Sequence, residues 1–362
     1  MVGGVLLGGF MYYFTSSSSP TATLNDTTFV PYRITSREAI SPTSFVLTIS
    51  PNQTLQQESP PYLHPDDPST WRYPLWSVEF KQPEVQISRR YTPLPPRDGD
   101  DPRDGTLRFY IRTVGGGEMS NYLGRLREGQ DAWLRGPHRG FDVVDRLGQR
   151  QDVVFLAGGT GVVPGLQAAN AVLESRPDTT FRLLWAVRKR EELQDPAPPA
   201  RSWWDRWTTA PSPTQLPINL NSPSPVGRQL AQMKSKYGDR LIVEVAVDEE
   251  ATIFSPNHIA NALLATTKTE VSPSPNPDCA LHNQMLHHNV SEFETETPQC
   301  GCGPEGGRAL FMVSGPDGFI RHYAGSKVWL GGSQTQGPVG GVASRIQAQN
   351  AQLKRDWLVL KL

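Results

Sequence analysis

Cysteine is almost absent from this chain. Its 362 residues hold three, Cys279, Cys300 and Cys302, all in one late segment, which excludes a disulfide scaffold. An excess of charge is missing too. Lys and Arg total 35 against 36 Asp and Glu, a net charge of −1. That leaves no global basic footprint for nucleic acid and no acidic tail. No repeat recurs at a period of 20–50 residues. The first 14 residues form an apolar run shorter than the roughly 20 needed for a membrane span. What is present is ordinary globular material. The apolar fraction is 37%, enough to bury sizeable cores and to argue against wholesale disorder. The 32 Gly and 33 Pro predict long loops, and the length predicts two domains.

Residues 1–14 read MVGGVLLGGFMYYF, without charge and closed by Tyr12, Tyr13 and Phe14. The aromatic close resembles an interfacial belt, and no basic region precedes it as in a signal peptide. The run is therefore expected to be the exit end of a membrane anchor. A Ser/Thr-rich linker follows to residue 28. The linker holds one acid and no base, which places it on the non-cytoplasmic or non-matrix side.

Residues 29–148 are read as one domain of short strands at 32–36, 44–49, 76–81, 85–88, 107–113 and 131–135, punctuated by Gly and Pro. That rhythm predicts an antiparallel β-barrel or sandwich. Residues 149–362 change rhythm. Apolar runs at 152–157, 181–187, 240–247 and 309–313 alternate with helical patterns at 164–175, 228–237 and 317–325. Continuous apolar strands between helices predict an α/β domain around a parallel sheet. Low-complexity insertions at 196–225 and 249–308 interrupt it and are expected to be surface loops.

Four motifs carry chemistry. Arg89-Arg90-Tyr91-Thr92 offers a guanidinium for a phosphate, a ring for stacking and a hydroxyl, with Arg89 and Tyr91 two apart on a strand and so on one face. Gly115-Gly116-Gly117-Glu118-Met119-Ser120 is a glycine loop that leads into a helix start, a cradle for a diphosphate. Gly158-Gly159-Thr160-Gly161 follows a strand and precedes a helix, the arrangement that seats a dinucleotide phosphate, although it departs from the Gly-x-Gly-x-x-Gly string. Ser314-Gly315-Pro316-Asp317 lies at the carboxyl end of the last of these strands, where open α/β sheets bind ligands. Singly, each motif also reads as an edge strand, a capped loop or a turn. Their order and placement give the set its weight.

In that order the set resembles the ferredoxin–NADP reductase superfamily, above all its cytochrome b5 reductase-like branch, over about residues 30–325. The resemblance implies a β-barrel FAD domain followed by an NAD(P)-binding α/β domain. It implies that Arg89 pairs with the FAD diphosphate, Tyr91 stacks on the isoalloxazine and Thr92 hydrogen-bonds near its N5. It also implies that the backbone of Gly117, Glu118, Met119 and Ser120 wraps the diphosphate, with Arg112 in the same cofactor-binding set. Gly158, Gly159, Thr160 and Gly161, with Ser314, Gly315, Pro316 and Asp317, would hold NADH or NADPH. Ser314 stands where relatives usually have Cys, which bears on hydride transfer more than on fold. The stretch LWSVEFKQPEVQISRRYTPLPP, the apolar N-terminus and the ending DWLVLKL further resemble the fungal mitochondrial cytochrome c import factor flavoproteins. That likeness implies an inner-membrane protein facing the intermembrane space, anchored through its N-terminus. Its electrons would pass to a haem-protein partner such as cytochrome c haem lyase, in support of cytochrome c haem attachment. A general cytochrome b5 reductase-like donor and a non-catalytic flavoprotein partner of haem lyase are the alternatives. Such chemistry requires no protein acid or base, and none is assigned.

Other features carry less. Cys279, Cys300, Cys302, His282, His287 and His288 match no zinc spacing, and no metal site is assigned. Trp203, Trp204 and Trp207 are read as a local cluster. Arg188-Lys189-Arg190 follows the second strand of the nucleotide domain and hints at a 2′-phosphate, but Glu191 and Glu192 follow at once.

Overall fold

The computed structural model of the chain describes residues 24–52, 74–101, 104–148, 150–194, 212–216, 220–266, 308–330 and 333–362. The expected anchor at residues 1–14, the linker as far as residue 23, the three tryptophans and the Cys/His segment lie outside the described residues. Among the described residues, no helix is long and apolar enough to cross a membrane.

Alternation builds the first sheet. Val30, Tyr32 and Ile34 point inward from β1 (Val30–Ser41), and the residues between them do not. The sheet also contains β2 (Ser44–Pro51), β3 (Pro74–Gln82), β4 (Ile87–Tyr91), β5 (Leu107–Arg112) and β6 (Asp131–Asp142) in the order β4-β3-β6-β1-β2-β5. Every pairing in it is antiparallel. The expected barrel is thus an open one, with β4 and β5 as its two edges. Helix α1 (Glu118–Arg125) packs against β3, β4 and β5, closing the gap with Met119 and Leu123 buried in the core. β4 begins two residues later than the sequence suggested. The turn before it takes Gln86 at φ 57° and leaves Val85 exposed. Short helix α2 (Val143–Leu147), capped by Asp142, leads out of the sheet.

The second sheet has apolar residues on both faces. Its strands are β7 (Asp152–Gly158), β8 (Thr180–Val187), β9 (Thr214–Gln215), β10 (Leu241–Val247), β11 (Ala309–Ser314) and β14 (Trp357–Lys361), ordered β14-β11-β7-β8-β10-β9. Five run parallel, and the two-residue β9 pairs antiparallel with β10, so the sheet is mixed. A hairpin, β12 (Val328–Leu330) and β13 (Ser333–Thr335), stands outside it. In β7, Val153, Phe155 and Ala157 meet one cluster with α3 (Val162–Ser175) and α4 (Pro225–Tyr237). Val154 and Leu156 meet the other, which is built from α5 (Pro256–Thr266), α6 (Asp317–Ala324), α7 (Gly341–Gln349) and α8 (Ala351–Asp356). Burial on both faces is why β7 reads as an unbroken apolar run.

α5 lies within 249–308, which the sequence suggested was loop. Phe254 just ahead of it and Ile259 within it are buried. The first cluster crosses between the sheets, joining Val46, Leu75, Leu94, Tyr110 and Phe141 to α3 and α4.

Candidate functional site

The open edge of the first sheet decides what Arg89 and Tyr91 can reach. Arg89 pairs across from Phe80 and Tyr91 across from Val78, and both partners are core residues. Directly opposed residues share a face, so Arg89 and Tyr91 lie on the inner face of the edge strand. Arg89 is exposed and donates from Nη1 to the Ser88 carbonyl at 2.7 Å. Tyr91 is half-buried and meets Phe80 edge to face, centroids 5.5 Å apart. Burial pushes its hydroxyl up to about 12, against the opposing Arg89 charge. A stacking surface therefore stands beside a solvated guanidinium, and Thr92 follows half-buried.

The glycine loop lies after β5. Gly115 and Gly116 have open space where a Cβ would stand. At Gly117 a Cβ would lie 2.8 Å from Ser120 Oγ. Gly117 caps α1 without a side-chain hydrogen bond. Ser120 is buried at the third helical position, where its hydroxyl accepts from Val114 N at 3.2 Å and donates to Gly117 O at 3.2 Å. Its hydroxyl thus ties the loop to the first turn of α1. Glu118 is exposed in the first turn, whereas the Met119 side chain belongs to the core.

The other two motifs meet at the carboxyl ends of β7 and β11, which pair side by side through Ala157 and Ser314. The next strand in sequence after β7 lies on its other side, so strand order reverses here, the place where such sheets open a ligand crevice. Gly159–Gly161 forms a 3-10 turn into α3. A Cβ at Gly161 would lie 2.5 Å from the Ser314 carbonyl oxygen, and one at Gly158 would strike the Phe319 ring at 2.8 Å. Trp185 Nε1 donates to Gly159 O at 2.9 Å and fixes the turn. Thr160 is half-buried, Ser314 buried, Gly315 half-buried, and Pro316 and Asp317 exposed.

Arg112 joins the two halves. It ends β5, and its Nη1 lies 3.8 Å from where a Gly159 Cβ would be. Its guanidinium forms an ion pair with Glu192, which is 2% exposed. Tyr110 donates its hydroxyl to the same carboxylate at 2.7 Å, and Arg188 N donates at 3.2 Å. Burial works hardest against the Arg112 charge, but Glu192 and Tyr110 together outweigh it and leave the guanidinium above its ordinary value. Arg112 Nε is buried without a partner. Two glutamines make further crossings. Gln167 of α3 accepts from Trp76 N at 3.1 Å and donates to Pro93 O at 2.9 Å. Gln229 of α4 donates to Pro95 O at 2.6 Å, beside Arg108 at 2.9 Å. The segment that continues from Tyr91 and Thr92 is thereby held against α3 and α4. Sequence reasoning missed Glu192, Gln167 and Gln229. For Gln167 the signal is a lone amide in the apolar run VVPGLQAANAVL.

Residues 75–142 match the family described as oxidoreductase FAD-binding domain. The chain is thus similar to an oxidoreductase FAD-binding domain and to NADH-cytochrome b5 reductases, as its motifs led one to expect. Among its relatives is the cytochrome c mitochondrial import factor CYC2 of Saccharomyces cerevisiae, 28% identical over 209 residues, 45% of this chain and 54% of the relative. Another is the NADH-cytochrome b5 reductase 1 of Dictyostelium discoideum, 32% identical over 95 residues, 26% of this chain and 31% of the relative. The chain thus spans about half or less of these relatives' length. Among solved structures, the cytochrome b5 reductase domain of Ulva prolifera nitrate reductase aligns with a TM-score of 0.40 and 17% identity, over 62% of this chain and 75% of that one.

Proposed function

We propose that the chain is an FAD-dependent reductase that takes electrons from NADH or NADPH and passes them to a haem-protein partner. One observation carries the reading. Arg112, at the end of the strand that feeds the glycine loop, lies against Gly159 in the turn that opens α3. The loop for one cofactor and the turn for the other therefore border one crevice. The residues suit the flavin. Gly115 and Gly116 leave open backbone, Arg89 has a solvated guanidinium, and Tyr91 offers a ring held edge-on by Phe80.

When bound, FAD supplies two-electron exchange with a nicotinamide and one-electron exchange with haem iron. The protein's part is orientation and electrostatics. Arg89 and the backbone of residues 117–120 hold the diphosphate, Tyr91 stacks, and Thr92 offers its hydroxyl. Gly158, Gly159, Thr160 and Gly161 seat the nicotinamide nucleotide together with residues 314–317. We take 29–148 as the flavin domain and 149–362 as the nucleotide domain. The similarity to a cytochrome c mitochondrial import factor supports a mitochondrial place, in support of haem attachment to cytochrome c, with haem lyase as a candidate partner. Anchorage by the N-terminus in the inner membrane, facing the intermembrane space, belongs to the same reading.

The test is the absorbance spectrum of the purified chain before and after anaerobic addition of NADH or NADPH. The expected protein is yellow, bleaches with one or both nucleotides, and loses flavin on Arg89→Ala or Tyr91→Ala. A colourless protein overturns the flavin reading, and a yellow one that neither nucleotide bleaches overturns the reductase reading. Reoxidation by cytochrome b5, compared with reoxidation by haem and apocytochrome c, identifies the acceptor.

A further inference from the structure

The triplet Arg188-Lys189-Arg190 follows β8 at its carboxyl end. β8 neighbours β7, with Ala186 beside Gly158. A nucleotide seated on the Gly159 turn presents its adenosine ribose to this neighbouring strand end. Read as sequence, three cations here suit a 2′-phosphate. The structure spends the most buried of them elsewhere. Arg190, its side chain 11% exposed, places Nε and Nη2 on the two carboxylate oxygens of Glu250. Its backbone N donates to Glu249 Oε1 at 2.8 Å, and Glu249 N donates back to Arg188 O at 3.1 Å. Both acids come from the turn Asp248–Glu250 after β10, which runs parallel to β8 with Val247 beside Val187. Lys189 is exposed and lies 3.8 Å from Glu191, and Arg188 is exposed. Exposed cations discriminate little in salt, whereas a two-point guanidinium–carboxylate pair is strong and geometrically exact in its demands.

We propose that Glu250 is a specificity-determining residue: by engaging Arg190 at both nitrogens it withholds the guanidinium from a 2′-phosphate and biases the crevice toward nucleotides with a free 2′-hydroxyl. A 2′-phosphate brings close to two negative charges. It would have to displace Glu250 and then lie beside that carboxylate, with Asp248 and Glu249 next to it. The inference rests on the nucleotide reading of the crevice proposed above.

The test is calorimetric titration of the full chain, at physiological ionic strength, with 5′-AMP and with 2′,5′-ADP. The parent is expected to bind 2′,5′-ADP no more tightly than 5′-AMP. Glu250→Gln should bind 2′,5′-ADP about tenfold tighter, the scale of one charge-assisted contact, with 5′-AMP unchanged. Adding Arg190→Gln to that variant should abolish the gain. Arg190→Gln alone keeps the test sharp where Glu250→Gln fails to fold, and should leave the parent's ratio as it was. A parent that prefers 2′,5′-ADP tenfold and loses the preference on Arg190→Gln overturns the proposal, and so does a folded Glu250→Gln with the parent's ratio. If neither fragment binds and intact NADH and NADPH also fail to bind, the nucleotide reading itself is overturned, and this inference with it.

Discussion

A methyl group at Gly161 has nowhere to go. Its neighbours are the carbonyl of Ser314 and the amide of Gly315, both backbone, so nothing can rotate away. Gly161→Ala is expected to cost about 1–3 kcal/mol, read as a lower urea midpoint at unchanged slope. Asp152, at the start of β7, gives a prediction about pH. Burial pushes its carboxyl up from 3.8 to about 6, against a nearby Arg150. A raised folded value favours the protonated form. Its contribution is thus fully present below about pH 4 and lost as pH rises through about 6. Asn at 152 carries no such penalty. The melting temperature of Asp152→Asn, measured relative to the parent, should climb between those pH values and stay level above them. A difference that is flat across the range would count against this account.

The short helix α1 and the loop before it form one unit, and Ser120 is their joint. Ser120→Ala removes the acceptor of Val114 N and the donor to Gly117 O, at a cost of about 1–2 kcal/mol. Amide exchange at residues 114–117 should accelerate while that of β7 stays protected, because the two lie in different clusters. At this scale the sequence was largely readable. Short β-prone runs punctuated by Gly and Pro located the strands of the first sheet, and unbroken apolar runs located β7, β8, β10 and β11. β4 came out displaced because nothing local announces that Gln86 takes a left-handed turn. α5 was hidden by its polar surroundings, although Ser255 ahead of Pro256 is a legible start, and Ser255 Oγ does accept from His258 N at 3.2 Å. The glycine motifs were legible because each is local. Glu192, Gln167 and Gln229 were not, because their partners lie 80, 91 and 134 residues away.

Across the whole molecule, the two sheets share a core and a small set of buried polar crossings. Gln167→Ala strands Trp76 N and Pro93 O in that core, and is expected to cost about 2–4 kcal/mol. It should also broaden or split the unfolding transition relative to the parent. Glu192→Ala leaves Arg112 as an uncompensated buried charge and should cost about 3–5 kcal/mol, whereas Glu192→Gln, which keeps the shape, should cost less. Equal losses from the two Glu192 variants in urea titration would show that packing, not charge, holds the crossing.

Pro93 and Pro95 have no amide hydrogen, so each presents to the far helices a carbonyl and nothing else. Arg108 of the same half donates to the Pro95 carbonyl, and the donors from the opposite half are two glutamine side chains, Gln167 to Pro93 and Gln229 to Pro95. A hybrid that grafts a foreign nucleotide half onto this flavin half therefore inherits a Pro93 oxygen stripped of its Gln167 donor and a Pro95 oxygen left with Arg108 alone. It should come together best when the transplant carries an amide side chain at the position of Gln167, with one at Gln229 mattering less.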